Sequence, residues 1–258
     1  MIDKESLLAA WHYDQPYQAE KDYIQEMALS GIFNYMGSLV FKGGTALSKF
    51  YGSPRFSDDL DFSVVPGTII GRLAKEVDRV VGSLNDEYST RVMRKKNAKD
   101  MLVWELSIRG PLFGMLNKYQ HLKIEIDKNS SVRETLGKVR RNPVYKDLRP
   151  YLALVMNEKE ILAEKVVALL FRHNIKARDL YDLSFLLGKR VYVDAGLIDE
   201  KMREHGHMFS SERFHSRVDM LTKIWDRELK RLLPKDKFIG YKTAKATVVE
   251  GFTEAGMV

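Results

Sequence analysis

The chain has 258 residues, enough for one large domain or two small ones, and its composition of 45% hydrophobic and 30% charged residues is that of an ordinary globular protein. It has no cysteine, which excludes disulfides, thiolate nucleophiles and Cys-ligated zinc; no apolar run approaches the roughly 20 residues of a membrane span. The opening Met1-Ile2-Asp3-Lys4-Glu5 lacks the basic and apolar regions of a signal peptide, so the cytoplasm is the expected compartment, and a net charge of +7 favours polyanionic partners such as nucleic acid, or else marks a solvated basic surface.

Residues 18–35 read as an amphipathic helix, with Tyr23, Ile24, Met27, Ala28, Ile32 and Phe33 on one face and Glu20, Lys21, Asp22 and Glu26 off it. The apolar run 38–41 ends in Lys42-Gly43-Gly44-Thr45, and a second helix is expected over 46–51. After the turn signal Gly52-Ser53-Pro54, the end of the run 55–65 alternates like a strand. A helix is expected over 68–84, and strands over 89–92 and 101–108, separated by a basic hairpin-like segment at 94–99. Residues 121–127 alternate most cleanly, with Leu122, Ile124 and Ile126 on one side and Lys123, Glu125 and Asp127 on the other. Asn142-Pro143 and Arg149-Pro150 break the pattern, and beyond them the chain reads as almost wholly helical, which puts a domain boundary near residue 150.

A strand, a Gly-Gly-Thr turn and a helix make a good recipe for holding phosphate. The glycines admit an anion close to the backbone, and the helix start offers free N–H groups and a positive dipole end. Asp59-Leu60-Asp61 on an extended segment puts two carboxylates on one face, close enough to share a divalent cation. Mg²⁺ takes oxygen ligands, typically a few carboxylates with phosphate oxygens. Glu125 or Asp127 on the later acidic strand could complete the set.

Gly43-Gly44-Thr45-Ala46-Leu47-Ser48-Lys49 followed by Arg55-Phe56-Ser57-Asp58-Asp59-Leu60-Asp61-Phe62 resembles the first motif of the AbiEii/AbiGii-type nucleotidyltransferases, the MenT-like toxins of type IV toxin–antitoxin and abortive-infection systems. The resemblance assigns Asp59 and Asp61 to metal, and Gly43, Gly44 and Thr45, with Lys49, Arg55 and Ser57 in the same motif, to the nucleoside triphosphate. Lys123-Ile124-Glu125-Ile126 resembles the second motif and makes Glu125 the third carboxylate ahead of Asp127.

Two charges are oddly placed on the later helices. Lys165 falls inside the apolar stripe of a helix over 158–170, between Ile161 and Leu169, with Glu160 and Glu164 at or beyond the edge. It is either a snorkelling side chain or a functional one. Asp179 lies at the apolar edge of a helix over 178–187, where a first-turn acid also favours the helix dipole, and Asp182 can pair with Arg178. Glu160-x-x-Ala163-x-Lys165 and Arg178-Asp179-Leu180-Tyr181-Asp182 resemble the third and fourth motifs of the same family, which implies that Lys165 and Asp179 are needed for activity. His205-Gly206-His207 reads as a surface loop rather than a metal site. The basic stretch 223–245, with Trp225, Phe238 and Tyr241 interleaved, suits RNA or a solvated helix equally well.

The expected architecture is α+β: a DNA polymerase β-like nucleotidyltransferase domain over 1–150 facing a helical domain over 151–258 across an active-site cleft. Asp59, Asp61 and Glu125 would hold Mg²⁺, and an NTP would donate its NMP to an acceptor hydroxyl, which the resemblance and the basic charge make the 3′ end of a tRNA. A cognate antitoxin would be expected and no membrane partner. Transfer to a protein or small molecule, or a catalytically silent nucleotide- or RNA-binding module, are the alternatives.

Overall fold

A mixed sheet builds the first half of the chain in the computed structural model, which describes residues 2–10, 15–129, 131–133 and 135–258. Helix α1 (Lys4–Ala9) is capped by the Asp3 side chain, and α2 (Pro16–Tyr35) starts on a proline, which has no amide hydrogen to leave unsatisfied there. Strand β1 (Leu39–Lys42) runs directly into α3 (Gly43–Tyr51). Then follow β2 (Leu60–Val64), α4 (Ile70–Glu87), β3 (Thr90–Asn97), β4 (Met101–Ile108), the single turn α5 (Phe113–Leu116), β5 (Gln120–Asp127), β6 (Thr135–Arg141) and β7 (Tyr151–Met156). The strand order is β3-β4-β5-β2-β1-β7-β6, with β1–β7 and β2–β5 parallel and the other pairs antiparallel. Sheet and helices together form an α+β fold.

The chain divides into two compact units, Met1–Ala46 with Ser57–Met156, and Leu47–Phe56 with Asn157–Val258. The second holds α6 (Glu158–Phe171), α7 (Ala177–Gly188), α8 (Ala195–Glu204), α9 (Ser211–Met220), α10 (Trp225–Leu229) and α11 (Tyr241–Glu254). Helix α6 packs on α7, α8 and α9, and α7 on α10 and α11. Arg213 and Arg217 each donate Nε to the Leu170 carbonyl at 3.0 Å. Their charges thus meet both the orphan acceptors and the negative dipole end of α6. Glu228 does the reverse for α7, accepting from the Ala177 amide at 3.0 Å. Among the described residues no helix is long and apolar enough to cross a membrane.

Three elements depart from the sequence expectation. The basic segment 94–99 is strand as far as Asn97, because Arg94 to Asn97 pair with Glu105 to Leu102 past a bulge after Val92. Its side chains are almost all exposed, so no apolar alternation marks it. Strands β6 and β7 replace the expected break and helix around residue 150. The run Tyr-Leu-Ala-Leu-Val-Met of β7 suits either structure by composition, and its place between β1 and β6 makes it a strand. Helix α3 begins at Gly43, so the glycines form its first turn.

Helix α2 is the larger surprise, because its polar side is buried too. Gln18, Glu20, Lys21, Gln25 and Glu26 are all 4% exposed or less. Burial of such groups is tolerated only when each finds a partner. Glu20 accepts from the Leu112 amide at 2.5 Å and from Gln120 Nε2 at 2.7 Å. Burial nevertheless pushes its carboxyl above the ordinary value, against those two donors. Glu26 pairs with Arg141 at 2.8 Å and accepts from the Tyr151 hydroxyl at 2.8 Å. Lys21 donates to the His121 carbonyl, and the Tyr145 hydroxyl donates to Asp22 at 2.8 Å.

A methyl group at Gly110 would lie 2.5 Å from Glu20 Oε1, a carboxylate that two donors hold in place. Gly110→Ala is therefore expected to destabilise the protein by about 1–3 kcal/mol, read from the urea midpoint. Gly71→Ala, where a Cβ meets nothing within 4 Å, is the control and should be neutral or stabilising.

Candidate active site

Strand register assembles the first group of expected site residues. Lys42 pairs with Asp61, Asp61 with Glu125, and Ser63 with Asp127. Partners in register share a sheet face, so these five side chains lie together, with Asp61 and Glu125 one strand spacing of about 4.8 Å apart. The opposite face carries Phe41, Phe62, Ile124 and Ile126, all buried at 1% exposure or less, on the side covered by α2. The alternation in sequence thus separates the polar face from the core.

The Gly-Gly-Thr turn closes against this face. Gly43 has φ +76°, a conformation that L side chains rarely adopt, and a Cβ there would overlap the Asp61 carboxylate. Glycine at this position is a condition for Asp61 to sit where it does. Gly43, Gly44 and Thr45 form the open first turn of α3. The Thr45 hydroxyl donates to the Asp59 carbonyl. The neighbouring carbonyls of Ser57 and Asp58 both accept from Gln25 Nε2, at 2.8 and 3.0 Å. Three successive peptide oxygens leading into β2 are therefore held by two side chains, each 1% exposed. Lys21, one turn before Gln25 on α2, is buried, which lowers its pKa, while Asp58 and Asp59 pull the other way.

Asp59, Asp61 and Glu125 offer only hard oxygen donors, the set that suits a divalent cation such as Mg²⁺. Among the described residues no three His, Asp or Glu side chains converge into a ready cage. Glu125 instead meets Lys123 at 2.8 Å, and Asp127 meets Lys42 at 3.6 Å. The Ser63 hydroxyl on the same face is buried without a hydrogen bond among the described residues. In donor type all three carboxylates suit a cation, and strand register sets Asp61 beside Glu125.

The second unit holds another cluster. The Lys165 ammonium lies 2.7 Å from Asp182 and 3.4 Å from Asp179. It is 9% exposed and turned to two buried acids rather than snorkelling to water. Asp179 also meets Arg172 at 3.3 Å. Asp182 pairs with Arg55 rather than with Arg178: Arg55 donates Nε and Nη2 to the two carboxylate oxygens at 2.7 and 2.9 Å, and Nη1 to the Phe56 carbonyl at 2.9 Å. Burial opposes ionisation of Asp182, but the charges of Arg55 and Lys165 outweigh it and hold its carboxyl at about 2. Arg55, expected at the nucleotide, is thus 1% exposed with its fork turned to Asp182. Lys49 is buried in α3, also in the second unit.

Other expectations meet plain outcomes. Glu160 is fully buried and pairs with Lys201 at 2.6 Å, not at the edge of its helix. His207 stacks on Phe171 at 3.7 Å between ring centroids. Trp225 is fully buried and donates to the Ile239 carbonyl at 3.0 Å, so it offers no face to a base. Sequence reading missed Gln25 and the partner of Arg55; the one for lying on what looked like a solvent face, the other because Asp182 is 127 residues away.

On this α+β sheet a turn at a helix start is set against paired strand carboxylates, an arrangement that suits phosphate and a cation. The model of a family described as nucleotidyl transferase AbiEii toxin, type IV TA system, matches residues 28–243, and the chain belongs to that family. Among solved structures, JHP933 from Helicobacter pylori is similar at 19% identity and a TM-score of 0.58, over 92% of this chain and 90% of that one. A second H. pylori protein, described as a candidate nucleotidyltransferase, is similar at 18% identity and a TM-score of 0.56, over 90% of this chain and 92% of that one. These two likenesses concern the fold. No curated protein matches the chain.

Asp182→Ala leaves Arg55 buried beside a lost counter-charge and is expected to cost about 3–5 kcal/mol in urea unfolding at neutral pH. Because the folded carboxyl is held at about 2, below its unfolded value, its contribution is complete above about pH 4 and is lost as pH falls through 2. The stability gap between the native protein and Asp182→Asn should therefore narrow between pH 5 and pH 2.

Proposed function

We propose that this nucleotidyltransferase is Mg²⁺-dependent and moves an NMP from an NTP to the 3′-terminal hydroxyl of a tRNA. The observation that carries the reading is the register pair Asp61–Glu125 set against the glycine turn that opens α3. A divalent cation held by Asp59, Asp61 and Glu125 would supply neutralising charge at the phosphate oxygens.

The chain's own residues take the following parts. Amides of Gly43, Gly44 and Thr45 bind phosphate at the helix start. Gln25 and Thr45 orient the Asp59 backbone, and Gly43 leaves room for the Asp61 carboxylate. Lys165 is the phosphate-neutralising cation, oriented by Asp179 and Asp182, and Arg55 positions Asp182 rather than touching nucleotide. Lys49 and Ser57 belong to the same nucleotide-binding motif, and Glu125 is favoured over Asp127 because it is the register partner of Asp61. The acceptor oxygen forms a bond to the α-phosphorus in line as the bond to the β-phosphate bridge breaks, releasing pyrophosphate; one of the carboxylates takes the hydroxyl proton. Addition at that end would block aminoacylation. The family implies an antitoxin partner, which could act without touching the enzyme.

Purified protein incubated with Mg²⁺, each labelled NTP in turn and total tRNA is expected to label the tRNA, and Asp59→Ala/Asp61→Ala to fall to background. Equal labelling by the double variant, or label only in protein or small acceptors, would sink the reading. Gln25→Leu should raise the Mg²⁺ concentration for half-maximal labelling about 10–100-fold, the usual effect of losing a group that orients a metal ligand. An unchanged Mg²⁺ requirement would assign Gln25 to stability alone.

A further inference from the structure

The first unit carries a second feature at the β6–β7 end of the sheet. A groove of about 660 Å³ there is lined by Lys138, Arg140, Arg149 and Leu152 together with Phe33 and Tyr151 from the α2 side, and no acid lines it. Lys138 pairs with Leu154 and Arg140 with Leu152, while Val155 pairs with Phe41 of β1. Phe41 points to the α2 side, so Leu154, Leu152, Lys138 and Arg140 point with Lys42 and Asp61 to the other. Leu152 is 54% exposed.

The lining supplies cations and no acid. Some exposed cations elsewhere stand beside acids, as Lys95 does with Asp78 at 2.5 Å, Arg94 with Glu105 at 3.5 Å and Arg72 with Glu76 at 3.0 Å, whereas others, Lys96 and Lys118 among them, do not. Among the described residues none of Lys138, Arg140 and Arg149 has an ion pair, and Arg140 is steadied by Asn142 at 3.1 Å. Three cations without ion pairs beside the exposed Leu152 suit a ligand with regular negative charge and flat apolar groups, which is a nucleic-acid strand.

Distance argues for a strand rather than a single nucleotide. The groove reaches Leu39 at the start of β1, and the glycine turn follows its end at Lys42. Four residues at about 3.3 Å each separate the two by roughly 13 Å. That is about four stacked nucleotides at 3.4 Å apiece.

We infer that the groove at β6–β7 docks the phosphodiester backbone of the acceptor RNA a few nucleotides before the reacting end, with Lys138, Arg140 and Arg149 on its phosphates. The inference rests on the proposed RNA acceptor. Binding of 5′-fluorescein-labelled tRNA, followed by anisotropy without NTP over about 50–200 mM salt, tests it. For Lys138→Gln/Arg140→Gln/Arg149→Gln the slope of log K against log salt should fall by about 2–3, at roughly 0.7–0.9 per lost phosphate contact. The thermal shift produced by NTP should not change. Lys230→Gln/Lys237→Gln/Lys245→Gln removes the same charge from the second unit and should leave the slope nearly as in the native protein. An unchanged slope and affinity in the groove variant, while the native protein labels tRNA, overturns the groove proposal alone and leaves the groove to an acidic polypeptide. If the native protein neither binds nor labels tRNA, the acceptor reading fails and the groove proposal with it.

Discussion

Burying the polar side of α2 is the constraint on which the first unit depends. Glu20, Lys21, Gln25 and Glu26 sit where water cannot reach them, and an unmatched buried charge or amide would cost several kcal/mol. Each therefore dictates the position of something else: Glu20 the entry to α5 and the start of β5, Lys21 the His121 carbonyl, Glu26 the side chains of Arg141 and Tyr151, and Gln25 the peptides at Ser57 and Asp58. The helix is thus a jig for the sheet and for the segment that leads Asp59 and Asp61 into β2. The catalytic proposal leans on this rigidity, because carboxylates that must meet a cation and a phosphate need a backbone that does not yield.

The second unit solves a related problem with charge. Arg55, Lys165 and Arg172 surround two fully buried acids, Asp179 and Asp182. Desolvation alone would neutralise such acids, and the cations keep Asp182 ionised by outweighing it. One consequence is that a lysine otherwise free to reach water is held among packed helices, turned to two buried acids. A buried network of this kind is weak evidence for stability as such, but it fixes the direction of Lys165. The arginine that completes it comes from a distant stretch of chain, which ties 47–56 to the helical unit.

The chain belongs to the AbiEii nucleotidyl transferase toxin family, and its glycine turn closes against the Asp61–Glu125 register pair. The polar sheet face gives that chemistry a direction. Toward β5 it carries acids, and toward β6 it carries cations without acid partners among the described residues.

The sequence by itself determined what rests on short-range pattern. Alternation in residues 121–127 specified both the strand and which side chains face the core, because the strand period is two whatever lies beside it. Gly43-Gly44-Thr45 before Asp59 and Asp61 was legible as a unit, since spacing along the chain set the motif. Tertiary structure alone decided the rest. Thr90–Asn97 is a strand only because β4 lies beside it, and Tyr151–Met156 only because β1 and β6 flank it. The polar residues of α2 read as a solvent face, and no local signal says that Leu112, Gln120, Ser57 and Tyr151 wait for them 30 to 125 residues away. The pairing of Arg55 with Asp182 was not legible either, because Asp182 reaches it through space and not along the sequence. Periodicity reports burial of apolar groups; the matching of buried polar ones is a long-range condition that only the folded chain states.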